Sequence, residues 1–253
     1  MKLHYEDLVS GDPIPINGVG HFRSPQLKEL KPTTGIGVWK YRFYINVISW
    51  EQEDLIKYLR YVTGKKMKAL DKAQNLSVFD IVSIVPNAQT IFTEALGFFM
   101  LESLEWDNDS KSFIVYSSGK KEQIGSINRD NFEVIRDIVL QLNYVNLGNK
   151  TMPTKFASKE AEALWQKAQE HLKRANKSHQ KDEKMALGNI ISKLCAAPTG
   201  YTLLNIYELT VFQLYDQFFQ YGYLRAMDIN EMAFSNHGGK DFDIQAWLKP
   251  IFN

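Results

Sequence analysis

The spacing of hydrophobic positions changes several times along this chain, and each change predicts a different element. Residues 2–23 include SGDPIPINGVG, whose prolines and glycines exclude a long helix and predict a small hairpin or extended arm. Ser24-Pro25 then predicts a short helix through PQLKEL. Ser24 would be its N-cap, Pro25 would sit where a missing N–H costs nothing, and Pro32 would end it. IGVWKYRFYINVIS fits two patterns. Its β-branched and aromatic content favours a strand, whereas Val38, Tyr41, Ile45 and Ile48 recur at helical spacing and predict a helix. Ser49 and Gln52 form a capping-box pattern before EDLIKYLRYV, with Leu55, Leu59 and Val62 as the buried stripe. Ser77 is expected to cap a short helix, and Asn87 another running to about Leu101.

Beyond Leu101 the period shortens. ESLEWD, SFIVYS and EQIGSI are separated by turn-forming residues and predict a three-stranded antiparallel meander. Asn128 is expected to cap the next helix, RDNFEVIRDIVLQLN, which places Phe132, Ile135, Ile138, Val139 and Leu142 on one face. A meander needs a partner for its apolar side, and this helix is the nearest. The polar stretch 146–158, with Gly148 and Pro153, has linker composition. From there the pattern is helical, over about 158–177, 183–196, 206–222 and 228–235 and a short piece at FDIQAWL. The expected class is α+β, with an N-terminal α+β domain (1–148), a linker (149–157) and a helical C-terminal domain (158–253).

Composition narrows the function. With 44% hydrophobic and 23% charged residues the chain is expected to fold rather than stay disordered. A formal net charge of +1 supplies no global field for nucleic acid or an acidic membrane. Cys195 is the single cysteine, so an intramolecular disulfide and a cysteine-rich zinc site are excluded. That usage, and an N-terminal stretch without an apolar signal core, fit a cytosolic protein.

Chemistry-bearing motifs are sparse. GIG at 35–37 lacks the spacing of a dinucleotide loop, and neither GxxxxGK[ST] nor GxSxG occurs. His171 and His179 are two helical turns apart, too far for a joint metal pair, and are expected to be solvated. In SNHGGKDFD, His237, Lys240 and Asp241 could form an acid–base group, but glycines ending one helix and Asp241 capping the next account for the same residues. Cys195, beside Ile191 and Leu194, is expected to be a buried structural thiol. Lys155 to Lys184 holds eight Lys/Arg and five Asp/Glu, a balance too mixed for a phosphate-tracking surface. No catalytic residue, cofactor or metal is expected.

One stretch stands apart. Seven of the 22 residues from Ile206 to Met227 are aromatic, more than one helix face can hide. Tyr207, Val211, Leu214 and Phe218 share a stripe that Tyr215 and Phe219 widen, while Phe212 and Tyr223 point elsewhere. Burying such rings is worth roughly 1.5–3 kcal/mol each, so the surplus should be covered. Arg225 is the only Lys or Arg between residues 201 and 239, which disfavours base stacking. A core helix and a partner groove both remain.

The runs MKLHYEDLVSGDPIPINGVGHFRSPQLKELKPT and GNIISKLCA, with NIYELTVFQLYDQFFQYGY and MAFSNHGGKDFDIQAWLKP, resemble a family encoded in the tail modules of phages and prophages of Gram-positive bacteria. The plan also resembles phage tail assembly chaperones and, in outline, baseplate hub-type proteins. The resemblance implies a non-enzymatic protein that binds tape-measure, tail-tube or baseplate subunits or its own copies, without nucleic acid or membrane. Its place would be the host cytoplasm, or the virion tail for a structural subunit. The partner surface expected from it is Tyr207, Phe212, Tyr215, Phe219 and Trp247.

Overall fold

The computed structural model describes residues 1–64, 76–117, 119, 122–145 and 186–237; within the last helix the side chains at 226, 230, 233, 234, 236 and 237 are excepted. The class is α+β, with antiparallel strands and helices in the N-terminal region and a helical C-terminal part. By contacts, Met1–Val145 and Tyr207–Asn253 form one compact unit, and Asn146–Ile206 a second. The aromatic helix therefore packs with the N-terminal residues. The expected linker 149–157 and helix 158–177 lie outside the described residues.

In the first unit, α1 (Tyr5–Ser10) precedes a hairpin of β1 (Ile14–Ile16) and β2 (Gly20–Phe22), so the expected arm is a helix followed by a hairpin. The next helical piece is a 3-10 turn, Leu27–Leu30, capped by Gln26 and Glu29 rather than by Ser24. Helix α2 (Gly37–Ser49) follows, as the helical spacing predicts, with Tyr41, Tyr44, Val47 and Ile48 buried. GIG is the turn that enters it. A Cβ on Gly35 would collide with the Glu29 carbonyl, and Gly37 has φ +78°, so both glycines serve backbone geometry.

Helix α3 (Gln52–Thr63) is capped by Glu51 paired with Asp54, not by Ser49, whose hydroxyl donates to Asn46 O at 2.9 Å inside α2. Leu55 and Leu59 are buried as expected, whereas Val62 is exposed. Ser77 caps α4 (Val78–Ile84), its Oγ accepting from Asp80 N. Helix α5 (Pro86–Phe98) starts on Pro86, so Asn87 lies within the first turn instead of capping it.

Strands β3 (Ser103–Asp107), β4 (Ser112–Tyr116) and β5 (Gln123–Ile127) form the expected antiparallel meander in sequential order. Helix α6 (Phe132–Leu142) has Asn131 at its N-cap position, three residues later than the expected Asn128, which shapes the preceding turn through Asp130 N. All five residues of its expected face are buried. The core lies where sheet and helices meet: Phe132 packs on Phe79 (5.1 Å between ring centres), Phe92 (5.5 Å) and Phe113 (6.3 Å).

Arg136, almost fully buried, ties α6 to the end of α2. Its Nε donates to Ile48 O at 2.7 Å, another guanidinium N–H donates to Trp50 O, and Nη1 bridges both Glu133 oxygens at 2.8 Å. A cation on the last carbonyls of α2 also opposes the negative end of that helix.

In the second unit, α7 (Leu187–Ala196) buries Leu187, Ile190, Ile191 and Leu194. Cys195 is only partly buried, short of the expected core position. The chain then returns to the first unit: where two helices were expected over 206–222 and 228–235, one helix, α8 (Val211–His237), runs through Gly222, and the turn before it, Ile206–Glu208, is 3-10.

Candidate functional site

Helix α8 is the candidate, and its first turn shows how firmly it is set. The first N–H groups of a helix have no partner within it. Here Val211 N donates to Pro25 O (2.9 Å), Phe212 N to the buried Ser24 Oγ (3.1 Å) and Gln213 N to Thr210 Oγ1 (3.2 Å). Thr210 N donates back to Gln213 Oε1 at 2.9 Å, completing a capping box. The same Gln213 side chain donates to Val9 O at 2.8 Å and caps α1. Gly11, where α1 ends with φ +76°, leaves room for it, since a Cβ there would lie 2.8 Å from Gln213 Nε2. Ser24, expected to cap its own helix, thus serves the start of α8, far away in sequence.

The approach to α8 is pinned as well. Lys28 Nζ meets Glu208 at 2.7 Å, and Lys31 Nζ sits 4.1 Å from the centre of the Tyr207 ring. Leu27 N donates to Leu209 O at 2.9 Å.

Tyr144, in the turn after α6, gathers the aromatic residues. Its ring lies 5.1 Å from Phe212, 5.9 Å from Tyr215 and 5.4 Å from Phe219, nearly parallel to the last two. Tyr144 has φ +59°, the left-handed conformation glycine normally takes at a helix end. The turn is closed by Val145 N donating to Leu140 O (2.9 Å) and Tyr144 N to Gln141 O (3.1 Å). Tyr41, whose buried hydroxyl donates to Asn143 Oδ1 at 3.1 Å, steadies the residue before it. A non-glycine residue in this region costs about 1–3 kcal/mol, which the ring contacts must offset.

The expected partner residues therefore separate. Phe212, Tyr215 and Phe219 meet around Tyr144. Phe212 is 0% exposed, a core residue of this unit, whereas Phe219 is 37% exposed and Tyr215 half-buried. Tyr207 is half-buried under Lys31, and Trp247 lies outside the described residues. Past Gln220, Tyr221 and Met227 are half-buried, while Tyr223, Leu224, Ile229 and Met232 are exposed. At 3.6 residues per turn these do not share one stripe.

One acid interrupts the aromatic run. Asp216 is 3% exposed and accepts from Tyr5 Oη at 3.0 Å. Gln220 Nε2 approaches the same phenol at 3.5 Å. Burial raises the Asp216 pKa above the usual carboxylate value, against hydrogen bonds from Tyr5, Gln220 and Gln217 that lower it. Burial, helped by the charges of Asp216 and Tyr5, pushes Tyr144 up to about 12. Both phenols are neutral at ordinary pH. Sequence reasoning passed over Tyr144 and Asp216, and assigned Ser24 to a different helix. The lone acid within LYDQFF was a visible signal; the pairings of Tyr144 and Ser24 with α8 are long-range and left none.

Among the described residues, no group of three or more His, Cys, Asp and Glu is placed to hold a metal, and no helix is long and apolar enough to cross a membrane. His171, His179, Lys240 and Asp241 lie outside the described residues, and His237 is described only as the last backbone position of α8.

Residues 176–252 match the model of the YomV second domain, a phage- or prophage-associated family, in agreement with the phage association inferred above. The matched segment contains α7 and α8 and none of residues 1–175. No curated protein and no solved structure matches the chain.

Proposed function

We propose that this chain is a non-enzymatic phage tail morphogenesis protein, a tail assembly chaperone that binds helical segments of the tape-measure and tail-tube proteins in the host cytoplasm. The observation that carries this reading is the two-part character of α8. A buried, multiply capped first part holds the helix, and a second part presents Tyr223, Leu224, Ile229 and Met232 on several sides. An apolar surface of that kind suits a partner helix. The phage-associated match over 176–252 contains this helix and supports the setting. Phe219, Tyr215 and, from the sequence, Trp247 would border the surface, whereas Phe212 would support it from inside.

The resemblance to baseplate hub-type proteins supports a second reading, a structural subunit retained in the virion tail. Mass spectrometry of purified particles separates the two. A chaperone should be abundant in the infected lysate and missing from particles, and should co-purify with the tape-measure protein. Stoichiometric presence in particles would replace the chaperone reading with the structural one. A chain found in neither particles nor tail-protein complexes would refute both.

A further inference from the structure

We propose that the seating of α1 on α8 is controlled by proton occupancy of Asp216, held firmly when the carboxyl is protonated and loosened when it is ionised. The geometry is that of a small helix closed over a buried acid. Tyr5, in the first turn of α1, donates to Asp216 Oδ1 at 3.0 Å, and Gln213 caps the other end of α1 through Val9 O at 2.8 Å. Leu8, between them, is 1% exposed. Among the described residues, the titratable groups facing the carboxyl are the phenols of Tyr5 on α1 and Tyr144 on the turn after α6; Glu6 and Asp7 of α1 are exposed. On its own helix Asp216 has Gln217 and Gln220. Among the described residues no Lys, Arg or His pairs with it, so its negative charge is solvated only by neutral donors.

Removing a carboxylate from water without a cation is unfavourable, and the group answers by holding its proton. When α1 lifts, Asp216 regains water and its charge is no longer penalised. Docking is thus linked to proton uptake. It is strongest below the ordinary carboxylate range and weakens as pH rises through the raised value of the docked state. Release would bare the side of α8 that α1 covers. The inference does not depend on what the exposed part of α8 binds.

Hydrogen exchange of the α1 amides, corrected for intrinsic rates and compared at about pH 4.5 and about pH 7.5, tests the linkage. The native chain should show severalfold higher protection of Leu8 and Val9 at the lower pH. Asp216→Asn, which keeps an acceptor for Tyr5, should abolish that dependence and hold protection high at both values. Tyr5→Phe removes a donor that favours the charged form and should steepen it. An equal pH dependence in the native chain and Asp216→Asn, with both folded by circular dichroism, would overturn the proposal.

Discussion

The two parts of α8 belong to one unbroken helix and obey opposite rules. From Val211 to Gln220 nearly every position has an assigned neighbour: Val211, Phe212, Leu214 and Asp216 are buried, and the first N–H groups are matched one by one. Beyond Tyr221, the large apolar side chains of Tyr223, Leu224, Ile229 and Met232 stand exposed. Helix propensity does not separate these parts, because tertiary packing supplies most of a helix's stability in a protein. The first part is specified by the body it enters. The second keeps its helical form while Leu224, Ile229 and Met232 stay exposed, as an interaction element requires. Substitutions in the first part should register in folding, and those in the second in association.

The largest expected effect is at Phe212. Replacing this fully buried ring with alanine should cost about 3–5 kcal/mol, read by chemical denaturation, because the space against Tyr144 cannot collapse completely. A loss below about 1 kcal/mol would place Phe212 with the exposed part and break the comparison.

The divide also marks what could be read from sequence. Elements governed by local periodicity were legible: the meander, the five buried positions of α6 and the Ser77 cap. Caps were less so. Ser24, Ser49, Asn87 and Asn128 are all residue types that cap helices, yet none of them caps the helix expected of it. Ser24 is taken by Phe212 N, Ser49 by α2, and Asn131 and the Glu51–Asp54 pair stand at the starts of α6 and α3 instead. A candidate N-cap is a local signal, but its use depends on which buried donors the fold brings near. Phe212 illustrates the same limit in the candidate site. A helical wheel places its ring off the main stripe, which reads as a spare face; the turn at Tyr144 supplies the missing cover. The surplus of rings was legible, and their division between core and surface was not.

Ser24→Ala should be next in size. It removes the acceptor of a buried N–H at the start of α8 and should cost about 1–3 kcal/mol, with Ser24→Thr restoring part of the loss. A stability equal to the native chain would mean that water or another acceptor serves Phe212 N as well, and that the first turn is less closely fitted than its geometry implies.

Asp216 is the one place where the buried part works against itself, so its replacement should change stability in the opposite sense. The Asp216 pKa is raised in the folded state. Its ionised form is therefore penalised at neutral pH, and the penalty fades as pH falls from that raised value through the ordinary 3.8. Asp216→Asn should be more stable than the native chain at pH 7, with the gap closing towards acid, as denaturant midpoints across that range would show. A variant less stable at pH 7 would mean that the carboxylate charge contributes more through Tyr5 than its burial costs.

The smallest stability change is expected in the exposed part, where it is most informative. Ile229→Ala and Met232→Ala remove side chains that are more than half exposed, so each should shift unfolding by no more than about 0.5 kcal/mol. Loss of association in the same variants would separate the two parts of α8 by experiment, because Phe212→Ala should weaken association only by unfolding the chain. Pull-down of the tape-measure protein with the double variant, beside a melting curve, reads both quantities on one sample. Unchanged melting with lost capture would assign the exposed part to the partner. Lost melting would mean that these side chains are covered within the chain itself, and that α8 is a core helix along its whole length.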